Sequence, residues 1–88
     1  MSDREIHDRD LAWLIESDCV VAEVTTPSLG VGYEIGYAVS TAKPVLALFR
    51  PSSGKPLSAM IAGCQALDLK EYESLDQVAG YLEAFFKK

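Results

Sequence analysis

Two carboxylates and one serine- and glycine-bearing loop are the parts of this 88-residue chain whose types and spacing suit chemistry. The loop is Thr25-Thr26-Pro27-Ser28-Leu29-Gly30-Val31-Gly32, and Glu34 follows it. It stands between a short β-branched segment and a helical pattern. In open α/β sheets that is where ligands bind, outside the carboxyl ends of the strands. Ser28 offers a hydroxyl, Gly30 and Gly32 let a ligand approach backbone N–H groups, and the helix behind supplies a positive dipole end. The loop can therefore cradle an anion. An ordinary strand-to-helix turn has the same pattern. It is not the dinucleotide fingerprint, because no third glycine stands at the required spacing and no acid follows about 20 residues on.

Glu34 is expected in the first turn of the following helix, where the dipole favours the ionised form. A carboxylate beside an anion-binding loop suits a nucleophile or a base, although a helix-start Glu can also do no more than complement the dipole. Asp10 falls between Ile6 and Leu14 on a helical wheel, beside Trp13, whereas Asp3, Glu5, Asp8 and Glu16 fall mostly toward solvent. A carboxylate on an apolar face is costly unless it is hydrogen-bonded or used; the alternative is a rotated helix with Asp10 at its boundary. If Asp10 and Glu34 both approach the strand ends, two carboxylates beside an anion site fit glycosyl chemistry. One would attack the anomeric carbon while the other positions the sugar or manages the leaving-group proton. Glu23 is a rival carboxylate, ranked lower because strand-end acids often cap backbone groups. Ser58 reads as a helix N-cap or a site residue, and Arg50 as a partner for a phosphate or a surface acid. His7, next to Asp8, reads as a surface or site-edge residue, and Tyr33 and Tyr37 as packing or interface residues.

These residues need elements to hold them. Ser2 and Glu5 have capping-box spacing and open a helix to about Ser17, with Ile6, Trp13 and Leu14 on its apolar stripe. Cys19 to Val24 reads as a strand covered on both faces. A helix from Gly30 to Ala42 is broken by Lys43-Pro44, and Val45 to Phe49 is a second buried strand. After the loop Arg50 to Pro56, Leu57 to Gly63 makes one or two helical turns with Gly63 as C-cap. Ala66 to Tyr72 alternates like an edge strand. A second capping box, Ser74 with Gln77, opens a last helix bearing Leu75, Val78, Ala79, Leu82, Phe85 and Phe86 on one face, with Lys87 and Lys88 at its negative end. The alternating order predicts an α/β fold, Rossmann-like or flavodoxin-like, with a small parallel sheet of about three strands and helices on both faces. Starting on a helix implies a strand missing at the N-terminus, or another chain covering that edge, so self-association is expected.

Composition narrows the partners. The chain is 49% hydrophobic and 24% charged, which fits a folded domain. Eight Lys and Arg against thirteen Asp and Glu give −5, with no basic cluster, which argues against a nucleic-acid polymer or an anionic membrane. No apolar run approaches the ~20 residues of a membrane span, and the start does not read as a signal peptide. Cys19 and Cys64 cannot build a disulfide scaffold, and with one His they make a zinc site improbable. The expected location is cytoplasmic.

The strings Asp10-Leu11-Ala12-Trp13-Leu14, Asp18 to Gly36, Lys43 to Pro51 and Leu57-Ser58-Ala59-Met60-Ile61 resemble the nucleoside 2-deoxyribosyltransferase superfamily, in particular its 2′-deoxynucleoside 5′-phosphate N-hydrolase branch. The run Pro27-Ser28-Leu29-Gly30-Val31-Gly32-Tyr33-Glu34 is the most specific. The resemblance implies hydrolysis of the N-glycosidic bond of a deoxynucleoside monophosphate, with no metal or organic cofactor. It makes Glu34 the nucleophile of a covalent intermediate and Asp10 the carboxylate that holds the sugar and assists base departure. Ser28 and Gly30 would contact the 5′-phosphate, and Ile6 would lie near the base. Ser58 would reach the phosphate in the neighbouring subunit of a homodimer. Residues 1–88 would form a single domain matching the C-terminal two-thirds of the usual one, which opens with a further strand and loop. Base exchange between deoxynucleosides, or a non-catalytic nucleotide-binding or dimerisation module, are the alternatives.

Overall fold

The computed structural model describes residues 1–87. Helix α1 spans Asp3–Glu16, and both halves of the expected capping box form: Ser2 Oγ accepts from the Glu5 N–H at 3.1 Å, and Glu5 Oε1 accepts from the Ser2 N–H at 3.2 Å. Strand β1 is Val20–Glu23, helix α2 Leu29–Ser40 and strand β2 Val45–Phe49. A single 3-10 turn, Pro51–Ser53, ends on Gly54, whose φ of +75° suits glycine. The short helix α3 (Ala59–Ala62), strand β3 (Leu67–Glu71) and helix α4 (Leu75–Phe86) complete the order. Ser74 and Gln77 close the second capping box.

The three strands are parallel in the order β1-β2-β3, with Val20 opposite Val45 and Val45 opposite Leu67. Strand β2 is central and buried along its whole length. Its side chains alternate between two cores. Val45 and Ala47 join Leu14 of α1, Ile35 and Ala38 of α2, and Leu67 on one face. Leu46 and Leu48 meet Phe85 of α4 on the other. The expected α/β architecture with helices on both faces is therefore present. Among the described residues no helix is long and apolar enough to cross a membrane.

Several expectations fail, each for a packing reason. Strand β1 is an edge strand rather than one covered on both faces. Helix α4 packs on Leu46 and Leu48, so Val21 on that face stays 42% exposed. Helix α1 buries Leu14, but Ile6 is exposed and Trp13 is 60% exposed beneath the Arg9 guanidinium, 4.8 Å from the ring centroid. On α4, Phe85 is buried whereas Leu75 and Phe86 face out. Lys87 Nζ pairs with Glu83 at 2.9 Å instead of serving only the dipole, and Lys88 lies outside the described residues.

Helix α2 ends two residues earlier than expected, in a left-handed cap. The Lys43 N–H reaches the Ala38 carbonyl at 2.9 Å and the Ala42 N–H reaches Val39 at 3.1 Å, with Ala42 at φ +60°. This is the Schellman pattern with alanine in the glycine position. Gly63 closes α3 at φ −88° and needs no such freedom. Lys43 Nζ also binds the Ser17 carbonyl at 2.5 Å and the Ile15 carbonyl at 3.2 Å, which places a cation at the negative end of α1. An L-residue in the left-handed region costs roughly 1 kcal/mol. Ala42→Gly is therefore expected to raise unfolding stability by about that amount, measured by urea denaturation. A loss of stability would show that Ala42 carries no strain.

Candidate functional site

The carboxyl end of the sheet is laced together by one acid. Glu23 Oε1 accepts from the Thr25 N–H at 2.8 Å, and Oε2 accepts from the Thr25 hydroxyl at 2.6 Å and the Tyr72 hydroxyl at 2.6 Å. The Thr25 hydroxyl in turn accepts from the Arg50 N–H at 2.9 Å. Residues at or just beyond the ends of all three strands thus meet at Glu23. Partial burial raises its carboxyl. The donors from Thr25 and Tyr72, with the nearby Arg50 charge, outweigh that and hold it below the ordinary carboxylate value. The rival carboxylate is committed to structure.

Ser28 is the N-cap of α2, its Oγ accepting from the Val31 N–H at 3.2 Å. A serine that accepts there keeps its own hydroxyl proton for a ligand. The Gly32 N–H already closes onto the Ser28 carbonyl at 3.0 Å, so the amides of Leu29 and Gly30 precede the intrahelical ladder. A Cβ added at Gly30 would meet Ser28 Oγ at 3.8 Å, an ordinary contact. Protein packing does not demand this glycine; its effect is to leave space beside the helix start. Because α2 begins at Leu29, Glu34 lies in the second turn, not the first. The dipole argument for its charge weakens accordingly, since that field falls off within one turn.

Two hollows flank the start of α2. The smaller, about 320 Å³, is lined by Asp10, Leu11 and Leu14 of α1 and by Leu29, Gly30, Tyr33 and Glu34 of α2, with His7 at its wall. Asp10 and Glu34 are thus brought to one cavity, on an apolar floor from Leu11 and Leu14. Asp10 is half-buried, its Oδ1 3.3 Å from Arg9. Among the described residues the Glu34 carboxylate has no hydrogen-bond or ion-pair partner. The larger cavity, about 550 Å³, lies between α2 and α3 and is lined by Ser28, Gly32 and Ser58 among mostly apolar residues. Ser58 caps α3, its Oγ accepting from the Met60 N–H at 3.2 Å. Leu29 borders both cavities, and Ile6 lines neither.

Three residues stand closer to the site than the sequence suggests. His7 Nδ1 lies 2.9 Å from Asp8 Oδ1, and Nε2 lies 2.9 Å from the Tyr33 hydroxyl. The two rings meet edge to face at 5.6 Å. Lys55 Nζ donates to the Thr26 hydroxyl at 3.0 Å, which brings an ammonium over the Ser28 loop. Adjacency offered the one signal: His7 is a turn before Asp10, and Tyr33 precedes Glu34.

A family model described as nucleoside 2-deoxyribosyltransferase matches residues 1–77. The chain belongs to this family. Among its relatives, the protein named 5-hydroxymethyl-dUMP N-hydrolase from Esox lucius is 52% identical over 88 residues, covering 97% of this chain and 60% of that protein. The protein of the same name from Tetraodon nigroviridis is 59% identical over 87 residues, covering 96% and 61%. That from Branchiostoma floridae is 54% identical over 86 residues, covering 94% and 81%. The chain spans about three-fifths of the length of the first two.

The Glu23 network has a pH signature. Its carboxyl titrates lower in the folded chain than in the unfolded one. The stability it contributes is therefore present above the ordinary glutamate value and lost as pH falls below it, through the lowered folded-state value. Tyr72→Phe is expected to shift the acid-unfolding midpoint upward while changing stability little in relative pH dependence above about pH 6, read by circular dichroism. Identical acid midpoints would show that the Tyr72 donor does not set the Glu23 titration.

Proposed function

We propose that this domain hydrolyses the N-glycosidic bond of 2′-deoxynucleoside 5′-monophosphates, releasing the free base and 2-deoxyribose 5-phosphate. The observation that carries the reading is that Asp10 and Glu34, from separate helices, line one hollow beside the open start of α2. The relatives' names describe N-hydrolysis of such a nucleotide. In the first step a Glu34 oxygen bonds to C1′ while the C1′–N bond breaks, and Asp10 assists the departing base. The base leaves with the bonding pair and takes up a proton from solvent. Water then bonds to C1′ and gives up a proton to solvent, the Glu34–C1′ bond breaks, and the carboxylate is regenerated, so that one water is consumed overall. The Ser28 hydroxyl and the amides of Leu29 and Gly30 hold the 5′-phosphate by hydrogen bonds and the helix dipole. Ile6, which lines neither hollow, contributes near the base only where substrate or a second chain extends the site.

The working unit of this reading is a homodimer in the cytoplasm, with Ser58 completing the neighbour's phosphate site. Leu29 at 96% and Met60 at 83% exposure flank the cavity holding Ser28 and Ser58, an apolar rim suited to cover by a second copy. Cys19 and Cys64 are free and pack with opposite faces of the sheet, as suits a reducing compartment.

Glu34→Gln is expected to lower release of free base from 5-hydroxymethyl-dUMP and dGMP at least about a thousandfold, with folding kept. A near-normal rate would eliminate Glu34 as nucleophile. Mixing Glu34→Gln with Ser58→Ala chains should restore turnover, because a mixed dimer holds one site with both native residues. Absence of complementation, with dimers seen by sedimentation, would place Ser58 in its own chain's site.

A further inference from the structure

We infer that His7 is a positioning residue: through the Tyr33 hydroxyl it ties α1 to α2 and sets how Asp10 faces Glu34. The inference rests on the hydrolase reading of that hollow. His7 stands three residues before Asp10 on α1, and so about one turn away on the same face. Tyr33 immediately precedes Glu34 on α2. All four line the same hollow. A bond between His7 and Tyr33 therefore joins the two helices next to the two carboxylates.

The polarity of the bridge follows from its far end. The Asp8 carboxylate can only accept, so Nδ1 of His7 carries the proton. With Nδ1 as the ring's single N–H, Nε2 accepts from the Tyr33 hydroxyl, 2.9 Å away. Asp8 is itself anchored by Arg4, at 3.7 Å on the same helix. Both ring nitrogens are engaged, which leaves none to act on a substrate; the ring holds rather than reacts.

The bridge supplies what the core beneath it lacks. Leu14 and Ile35 belong to the same buried cluster. Apolar contact of that kind is non-directional and tolerates sliding of one helix along the other. A hydrogen bond tolerates it far less, because it weakens steeply with distance and angle. His7 and Tyr33 are both exposed, so losing their bond should unfold little, while a shift of one ångström between reacting groups is costly to rate.

The test uses the whole chain, whose one histidine gives an unambiguous imidazole nitrogen spectrum. The expected wild-type spectrum shows protonated Nδ1 and accepting Nε2. Tyr33→Phe should move the Nε2 signal. Both Tyr33→Phe and His7→Ala should move the backbone amide signals of Asp10 and Glu34, and His7→Gln, whose amide can reach the Tyr33 hydroxyl, should return them. In turnover of deoxynucleoside monophosphates, Tyr33→Phe and His7→Ala should each lose about ten- to a hundredfold in kcat with KM within about twofold. His7→Gln should recover most of that loss, and the double variant of Tyr33→Phe with His7→Ala should be no slower than either. An Nε2 signal indifferent to Tyr33→Phe, or kcat losses that multiply in the double variant, would overturn the inference. A wild-type chain that releases no base yet shows the nitrogen and amide shifts would overturn the hydrolase reading and uphold the bridge.

Discussion

The packing of α1 on α2 is the contact on which everything else at the site depends. Asp10 and Glu34 lie on different helices with a strand between them, and neither is tied directly to the other. What makes them neighbours is the shared burial of Leu14 and Ile35 over Val45 and Ala47 of the central strand. The hollow is an outcrop of that core: Leu11 and Leu14 form its floor, and the carboxylates stand at its polar rim. The spacing of the two carboxylates and fold stability are therefore coupled from below, through one apolar layer.

The acids of the strand ends and of the site divide by how far their oxygens are satisfied. An ionised carboxylate only accepts hydrogen bonds. Glu23 fills that capacity with Thr25 and Tyr72, and Thr25 passes the connection on to Arg50. The carboxyl ends of the three parallel strands are tied to one another by these side chains. Glu34 has no such commitment among the described residues and faces a cavity. One glutamate is fixed so that the loop stays in place; the other is left available beside it.

Local signals in the sequence were read correctly and azimuthal ones were not. Ser2 with Glu5 and Ser74 with Gln77 form the capping boxes expected, because such a motif is decided within four residues. The bounds of β2 were also readable, since Pro44 and Arg50 bracket an apolar run that needs cover on both faces. Trp13 was misplaced because periodicity identifies a stripe without saying which half of it meets the sheet. Val21 and Phe86 failed for a related reason: the reach of α4 across the sheet is a tertiary fact. A signal for the turn that holds Glu34 is present in the sequence: Ser28 is an ordinary N-cap type three residues before Val31, which starts the helix at Leu29 instead of Gly30 and puts Glu34 in the second turn. Asp10 and Glu34 do meet, as their places on successive helices suggest, but in a hollow lined by α1 and α2 and not by the strand ends. The pairing of His7 with Tyr33, 26 positions apart, was not foreseeable, because no local rule connects them.

The two hollows make most sense together. They share Leu29 and meet at the first turn of α2, where amides outside the helical ladder are concentrated. On the proposed reading, a substrate with an anionic end and a reactive sugar carbon needs both kinds of surface a few ångströms apart. It needs N–H donors and a hydroxyl for the phosphate, and free carboxylate for the carbon. A carboxylate within the helix's first turn would compete with the phosphate for the same donors and dipole. Placing Glu34 one turn further along α2 removes that competition while keeping both groups on one helix. On that reading the second-turn position of Glu34 suits the chemistry, because one helix would attract an anion at its start and present another to the sugar one turn later.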